Sequence, residues 1–447
     1  MSITAYTNGT VYDGTGRAIP GGTVLIEDGR FLAVGPSAEV PVPSSAEVVD
    51  LRGRFVIPGL LDANVHLCIA ITPDLILEFE GRYEQLVEEA AQVTLKAGVT
   101  TVFDTWDPLA PVVAVRDRIA AGEIPGSRVY TGGNIIGYDG PLSKDFYDVA
   151  HLFGADARDR LENHWVQGVG GDLIWLTPDE VAARVREYIE RTGVDFIKYG
   201  ASGHSTREMR FITFSDRVQR AIVAEAHRAG ITAQSHTTSP ESLWMAIAAG
   251  VDLLQHGDIT GRRAMPRETV EHIAERGIPV AALLHTRRFH EWVKAHASED
   301  LRDYIYNDEM VENQRNLIAA GAKLLLTTDG GVFGPRIVVH PLLSGRWEGV
   351  VDSPANLGES HFFWLEAAIE LGAAPMEVLQ MATRHPAAAY GVADRLGTIE
   401  PGKFADLVVL DADPLADPAN YRRISSVVKD GVVVDRDALP LTRILTA

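Results

Sequence analysis

Three histidines, a lysine, an asparagine and an aspartate stand where apolar, β-branched runs of this chain come to an end. Asn64 and His66 follow the run 55–61, and their spacing of two puts them on one face of an extended segment. Lys198 lies at the end of the run 194–199, His236 closes 231–236, His256 closes 251–256 and Asp329 closes 323–329. Imidazole and carboxylate donors gathered from several strand ends are what a divalent metal requires. The chemistry to expect is therefore metal-assisted.

Those side chains can meet only if the strands converge. Between the runs, which also include 99–105, 128–136 and 278–285, lie stretches with Ala, Glu, Arg and Leu at helical spacing: 83–97, 178–192, 215–229 and 301–319. Gly98, Gly193, Gly230, Gly250, Gly277 and Gly321 stand just before strands, where a helix terminus takes the left-handed conformation. Eight strand–helix units in order predict an α/β fold, a closed (β/α)8 TIM barrel, with its chemistry at the C-terminal strand ends. Both ends of the chain have a different texture. Short β-rich runs with turn pairs such as Asp28-Gly29 and Asp430-Gly431 predict hairpins. Residues 1–54 and 395–447 are accordingly expected to fold together as a β-sandwich domain around a catalytic barrel of residues 55–394.

Composition excludes other classes. A chain of 447 residues, 46% of them hydrophobic, can bury a large core, which argues against global disorder. A formal charge of −20 would repel nucleic acid and anionic membranes, so neither is an expected partner. One cysteine, Cys68, permits no intramolecular disulfide and no multi-cysteine metal cluster, and it reads as a buried, inert thiol. No basic stretch leads into an apolar run near the N-terminus, and no segment has the apolar length of a membrane span. The expected location is the cytoplasm, and the expected partners are a small-molecule substrate and further copies of the chain in a homo-oligomer.

The stretch Ile57-Pro58-Gly59-Leu60-Leu61-Asp62-Ala63-Asn64-Val65-His66 resembles the first-strand motif of the metal-dependent amidohydrolase superfamily. Gly98-Val99-Thr100-Thr101, Asp195-Phe196-Ile197-Lys198, Gln255-His256-Gly257, Thr328-Asp329 and the segment from Glu400-Pro401-Gly402 to Val408 match it too. The resemblance spans nearly the whole chain. It implies one or two divalent ions, zinc first, with cobalt, manganese or iron as alternatives. His66 and Asp329 would bind a buried ion, His236 and His256 a more exposed one, and a carbamylated Lys198 would bridge them. Asp329 would act as general base toward the hydrolytic water.

One position departs from the pattern. Asn64 stands where the motif has its first histidine, a variant that resembles the subgroup containing phenylurea hydrolases and molinate (thiocarbamate) hydrolase. The expected reaction is cleavage of an amide-type C–N or C–S bond in an aryl-substituted urea, carbamate, thiocarbamate or anilide. An acyl-amino-acid or dipeptide hydrolase, prolidase-like or imidazolonepropionase-like, is the alternative enzyme, with Arg207, Arg210, Arg287, Arg288 or Arg336 as a carboxylate clamp. A metal-free barrel scaffold without activity is the alternative of another class. Trp106, Tyr138, Tyr199, His204 and His285 are the candidate substrate residues, with Tyr199 or His204 as a donor to the developing oxyanion. The insertion 141–177 is a candidate lid.

Overall fold

The computed structural model describes residues 3–68, 77–138, 168–203, 211–297, 299–332 and 352–447. His204, Arg207, Arg210, Arg336 and most of the insertion 141–177 lie outside the described residues.

Eight strands converge as the alternation requires. Strands β1 to β5, in the N-terminal segment, are Ile3–Tyr12, Ala18–Glu27, Arg30–Pro36, Glu47–Asp50 and Phe55–Pro58. The barrel strands follow: β6 Leu60–Val65, β7 Val99–Asp104, β8 Arg128–Thr131, β9 Phe196–Gly200, β10 Thr232–His236, β11 Leu253–Gln255, β12 Val280–Ala281 and β13 Leu324–Leu325. They pair in parallel as β6-β7-β8 and as β9 through β13. Main-chain bonds join the two groups at both seams. Asp195 N donates to Thr131 O at 2.9 Å and Ile136 N to Lys198 O at 2.9 Å on one side. On the other, Ala63 N donates to Leu326 O and Asp329 N to Asn64 O, each at 2.8 Å. The ring of strands is thereby closed.

The expected first barrel strand, 55–61, is in fact two strands. Phe55–Pro58 pairs with β1 and with β14 (Leu407–Leu410) in the terminal sheet, whereas Leu60–Val65 pairs with β7 in the barrel. Gly59 is the splice. A Cβ there would stand 2.1 Å from Thr100 Oγ1, so only glycine lets β6 lie against β7 at this point.

The two chain termini share one eight-stranded sheet, which also includes β15 (Ile424–Lys429) and β16 (Val432–Val433). β4 and β5 both pair with one edge of β1, at Thr4–Thr7 and Thr10–Val11, so the sheet forks there. Tyr6, Val11, Val24, Phe31, Val56, Leu407 and Val428 are buried together in its core. Arg128, on β8, ties this sheet to the barrel by ion pairs to Asp406 and Asp430.

The barrel interior is filled by side chains from alternate strand positions. Leu61, Ala63, Phe103, Phe196, Leu253, Ala281 and Leu325 cluster with Tyr390, whose ring stacks on Phe103 at 3.7 Å between centroids. Outside the strands, the helices Tyr83–Lys96, Pro178–Thr192 and Asp216–Arg228 bury one apolar face each. The expected helix 301–319 is interrupted: Glu299–Tyr304 and Asp308–Ala319 are separate, and Asn307 caps the second by accepting from Met310 N at 2.8 Å. Tyr306 stands in the break with φ of 58°. Among the described residues, no helix is long and apolar enough to cross a membrane.

Candidate metal centre

The strand ends bring Asn64, His66, Lys198, His256 and Asp329 into one buried network. His66 Nε2 lies 3.1 Å from Asp329 Oδ1, and His256 Nε2 lies 3.8 Å from the same oxygen. The His236 ring meets His256 edge-on at 4.8 Å between centroids. His66 is fixed on its far side by Nδ1, which donates to the Trp106 carbonyl at 3.0 Å. That bond leaves Nε2 as the nitrogen turned toward the site, since a ring nitrogen bound to a carbonyl must carry the proton.

Asn64 is engaged at both ends of its amide. Its Nδ2 donates to Asp329 Oδ1 at 2.8 Å and to Gln255 Oε1 at 3.0 Å, while its Oδ1 accepts from the Thr105 hydroxyl. Thr105 in turn accepts from Lys198 Nζ at 2.9 Å. A single chain of donors thus runs from Lys198 through Thr105 and Asn64 to Asp329. A histidine at position 64 would have to replace three of these bonds with two ring nitrogens.

Electrostatics follow from this enclosure. Burial pushes the Asp329 carboxyl up, yet His256, His66 and Lys198 beside it outweigh that effect and hold it well below the usual carboxylate range. Lys198 is brought down to about 8 by burial, with the carboxylates Asp329, Asp104 and Asp107 opposing the shift. A value near 8 leaves a usable fraction of neutral amine at physiological pH. Beneath the site, burial raises Asp62 to about 7 against bonds from Thr328 and from Asn64 N.

Two strand-end residues pay in backbone strain. His256 and Asp329 both have positive φ, 58° and 50°, where residues with a Cβ are sparsely found. Such strain collects where a side chain must be aimed.

Ligand atoms at about 2.0–2.1 Å from a tetrahedral ion stand roughly 3.3 Å from one another. The 3.1 Å and 3.8 Å separations at Asp329 Oδ1 are of that order. Among the described residues, however, no three His, Cys, Asp or Glu side chains are gathered into a set that could hold an ion; here the side chains bind each other. The donor types still fit a divalent metal, being imidazole, carboxylate and a lysine with a depressed pKa.

The structure corrects one expectation outright. Tyr199 follows the inward-facing Lys198, so strand alternation turns it outward, and its hydroxyl donates to Gln219 Oε1 at 3.0 Å on the helix Asp216–Arg228. It cannot reach an oxyanion at the rim. His285 is also occupied: Nδ1 bonds Leu283 O at 3.2 Å and Nε2 faces His290 Nδ1 at 3.4 Å. Burial, reinforced by His290, holds His285 down to about 3, so it stays neutral. Trp106 packs edge-on against His66 at 6.0 Å, and Tyr138 is tilted against Phe211 at 5.8 Å. Of the described arginines proposed as a clamp, Arg288 is engaged by Asp352 and Glu366, and Arg287 projects outward with its side chain 81% exposed. Cys68 is buried, and burial next to Asp107 and Asp104 raises its thiol well above the ordinary range.

Thr105, Gln255 and Tyr306 belong to this region and were missed. Thr105 and Gln255 directly flank strand-end positions, which is a signal that sequence could have carried. Tyr306 lay hidden inside a continuous helical pattern.

The chain belongs to the Amidohydrolase family, whose sequence pattern matches residues 55–434. Two solved structures superpose over its full length: molinate hydrolase and phenylurea hydrolase B, each with a TM-score of 0.90 and 36% identity. The alignments cover 97% and 100% of those chains respectively. Among curated proteins, an imidazolonepropionase of Acidiphilium cryptum is 24% identical over 89% of this chain and 88% of its own. An adenine deaminase of Rubrobacter xylanophilus is 24% identical over 94% of this chain, which spans only 55% of that relative's length.

Proposed function

We propose that the protein is a metal-dependent hydrolase that cleaves an amide-type C–N or C–S bond in a small aryl-substituted urea, carbamate, thiocarbamate or anilide. The observation that carries this reading is the full-length likeness, at 36% identity, to a phenylurea hydrolase and a molinate hydrolase. Asn64, held in its own hydrogen-bond network, is the residue through which the sequence resembles that subgroup. Of the candidate carboxylate clamps that are described, Arg288 is engaged by Asp352 and Glu366, and Arg287 points outward.

His66, His236, His256 and Asp329, together with a carbamylated Lys198, would hold one or two divalent ions, zinc first. A bound ion supplies Lewis acidity and makes water more acidic. Lys198 is suited to carbamylation because burial favours its neutral amine, whose lone pair forms the N–C bond to carbon dioxide with loss of one proton. Asp329 Oδ1, aimed by Asn64 and His66, would accept the proton of the attacking water and pass it to the departing nitrogen or sulfur. The packing of Trp106 against His66 keeps the imidazole from rotating.

The test is metal analysis of the purified protein together with a substrate panel of N-aryl ureas and carbamates against N-acyl amino acids. The expected result is hydrolysis of the aryl substrates, lost with a chelator and restored by zinc. Undiminished hydrolysis by metal-free protein, or turnover confined to N-acyl amino acids, would overturn the reading.

A further inference from the structure

The hydrogen-bonded chain from Asp329 to Lys198 has a fixed direction. Asp329 is a carboxylate and can only accept, so the end of the Asn64 amide that meets its Oδ1 at 2.8 Å is the amino group. The second amino proton goes to Gln255 Oε1 at 3.0 Å. Gln255 is itself oriented from below, since its Nε2 donates to Gln234 Oε1 and to Ala63 O. The Asn64 oxygen therefore faces Thr105, whose single hydroxyl proton it accepts. A hydroxyl that has committed its proton can only accept in turn, and it does so from Lys198 Nζ at 2.9 Å.

Thr105 is also held by its main chain, directly after β7, where its N donates to Val65 O at 3.2 Å. Lys198 lies on β9 and Asn64 on β6, and all three side chains are buried. A neutral lysine amine carries two N–H bonds. Carbamylation joins its lone pair to the carbon of carbon dioxide, moves one C=O electron pair onto oxygen and releases one proton to solvent, so one N–H remains. The product is flattened by the same resonance as a peptide bond, so the direction of that N–H fixes where the two oxygens lie.

We propose that Thr105 is a positioning residue for the carbamylation of Lys198: it accepts the N–H that survives the reaction and thereby sets the plane of the carbamate oxygens. The assignment rests on the carbamylated Lys198 proposed above. Asn64 fixes the polarity of Thr105, because a hydroxyl proton held by Asn64 Oδ1 does not compete with the lysine N–H. An amide suits position 64 for this reason. It gives two protons on one side and accepts on the other, whereas a neutral imidazole has one proton and could not serve Asp329 and Gln255 together.

The experiment titrates wild type, Thr105→Val and Thr105→Ser with isotopically labelled bicarbonate in the presence of zinc, and reads the carbamate by its carbon NMR resonance. Valine keeps the shape of threonine without the hydroxyl, so a packing role alone would leave the resonance unchanged; serine keeps the hydroxyl. Half-occupancy in Thr105→Val is expected to need about tenfold more bicarbonate than in wild type, with Thr105→Ser within about twofold of wild type. Should Thr105→Val fail to fold, seen as a lost unfolding transition, Thr105→Ala carries the same expectation. Equal occupancy in wild type and Thr105→Val, a Thr105→Ser protein as impaired as Thr105→Val, or no carbamate resonance in wild type would each overturn the assignment. The substrate panel decides the hydrolysis separately: a carbamylated wild type that cleaves none of the aryl substrates fails that reading alone and leaves Thr105 in its role.

Discussion

The rim and the interior of the barrel use polar side chains in opposite ways. In the interior, Tyr390 stacks on Phe103 and meets Phe196 edge-on at 5.0 Å, while its hydroxyl donates to Ala63 O at 2.5 Å and approaches Gln234 Oε1 at 3.2 Å. Every group is shared among several partners inside an apolar cluster. At the rim, Asp329 faces two histidines and an asparagine from a strained backbone, and its side chain remains 25% exposed. Dense, redundant contacts mark residues that hold the fold; convergence on one half-open oxygen marks residues that act. Gln255 joins the two layers, accepting from Asn64 above and donating to Gln234 below.

The contrast is broken most severely at Asp329. Asp329→Ala is expected to lower turnover at least about 10²-fold, because proton transfer and one donor are lost together. Its unfolding free energy should fall as well, since the buried His66, His256 and Lys198 lose their carboxylate partner. Measuring kcat beside a denaturant curve checks both halves; near wild-type kcat in a folded variant would remove Asp329 from the chemistry.

Tyr390→Ala should show the converse. Removing the ring from the interior cluster is expected to cost about 3–5 kcal/mol in a urea or guanidinium titration. The kcat of the folded fraction should change far less than in the Asp329 variant. A stable Tyr390→Ala protein that had lost activity would show that the two layers are not separable.

A smaller effect concerns a buried group with no part in the rim. His361 is brought down to about 3 by burial, with Arg422 adding to the shift and its bond to Ala97 O opposing it. Its folded pKa lies below the unfolded value of 6.5, so the neutral ring contributes fully above that pH. Stability is then lost as pH falls from about 6.5 toward 3, by up to about 1.4 kcal/mol per pH unit from this group. Unfolding free energies of wild type and His361→Leu, measured across that interval, should differ in slope by about one proton. Parallel curves would mean that His361 is already charged in the folded protein.

Much of this was written in the sequence because it depends on local rules. The turn pairs Asp28-Gly29 and Asp430-Gly431 adopt positive φ in succession, as hairpins between antiparallel strands demand. All six glycines placed at helix ends have positive φ, and Pro178–Thr192 forms over the span its Thr177 and Glu180 capping residues mark. Lys198 and His236 lie on barrel strands, with His256 directly after one. What escaped depends on contacts between distant segments. The run 55–61 looks continuous because both sheets want the same apolar residues, and only the proximity of Thr100 exposes the splice. β12 and β13 are two residues long, too short for any periodicity to fix their ends. The outward turn of Tyr199 follows from alternation and was legible; the break at Tyr306 interrupts a run whose composition gives no sign of it.

The splice at Gly59 also bears on the site. Leu61 and Ala63 of β6 face the barrel interior, and the register of β6 against β7 shifts between Asp62 and Val65, so strict alternation does not run through to the rim where Asn64 meets Asp329. β5 is held in the terminal sheet by pairing with β1 on one side and β14 on the other, and Gly59 N donates to Asp406 O at 2.9 Å. The terminal sheet therefore acts as a register stop: a distant, non-catalytic layer fixes where the strand that leads to Asn64 and His66 begins.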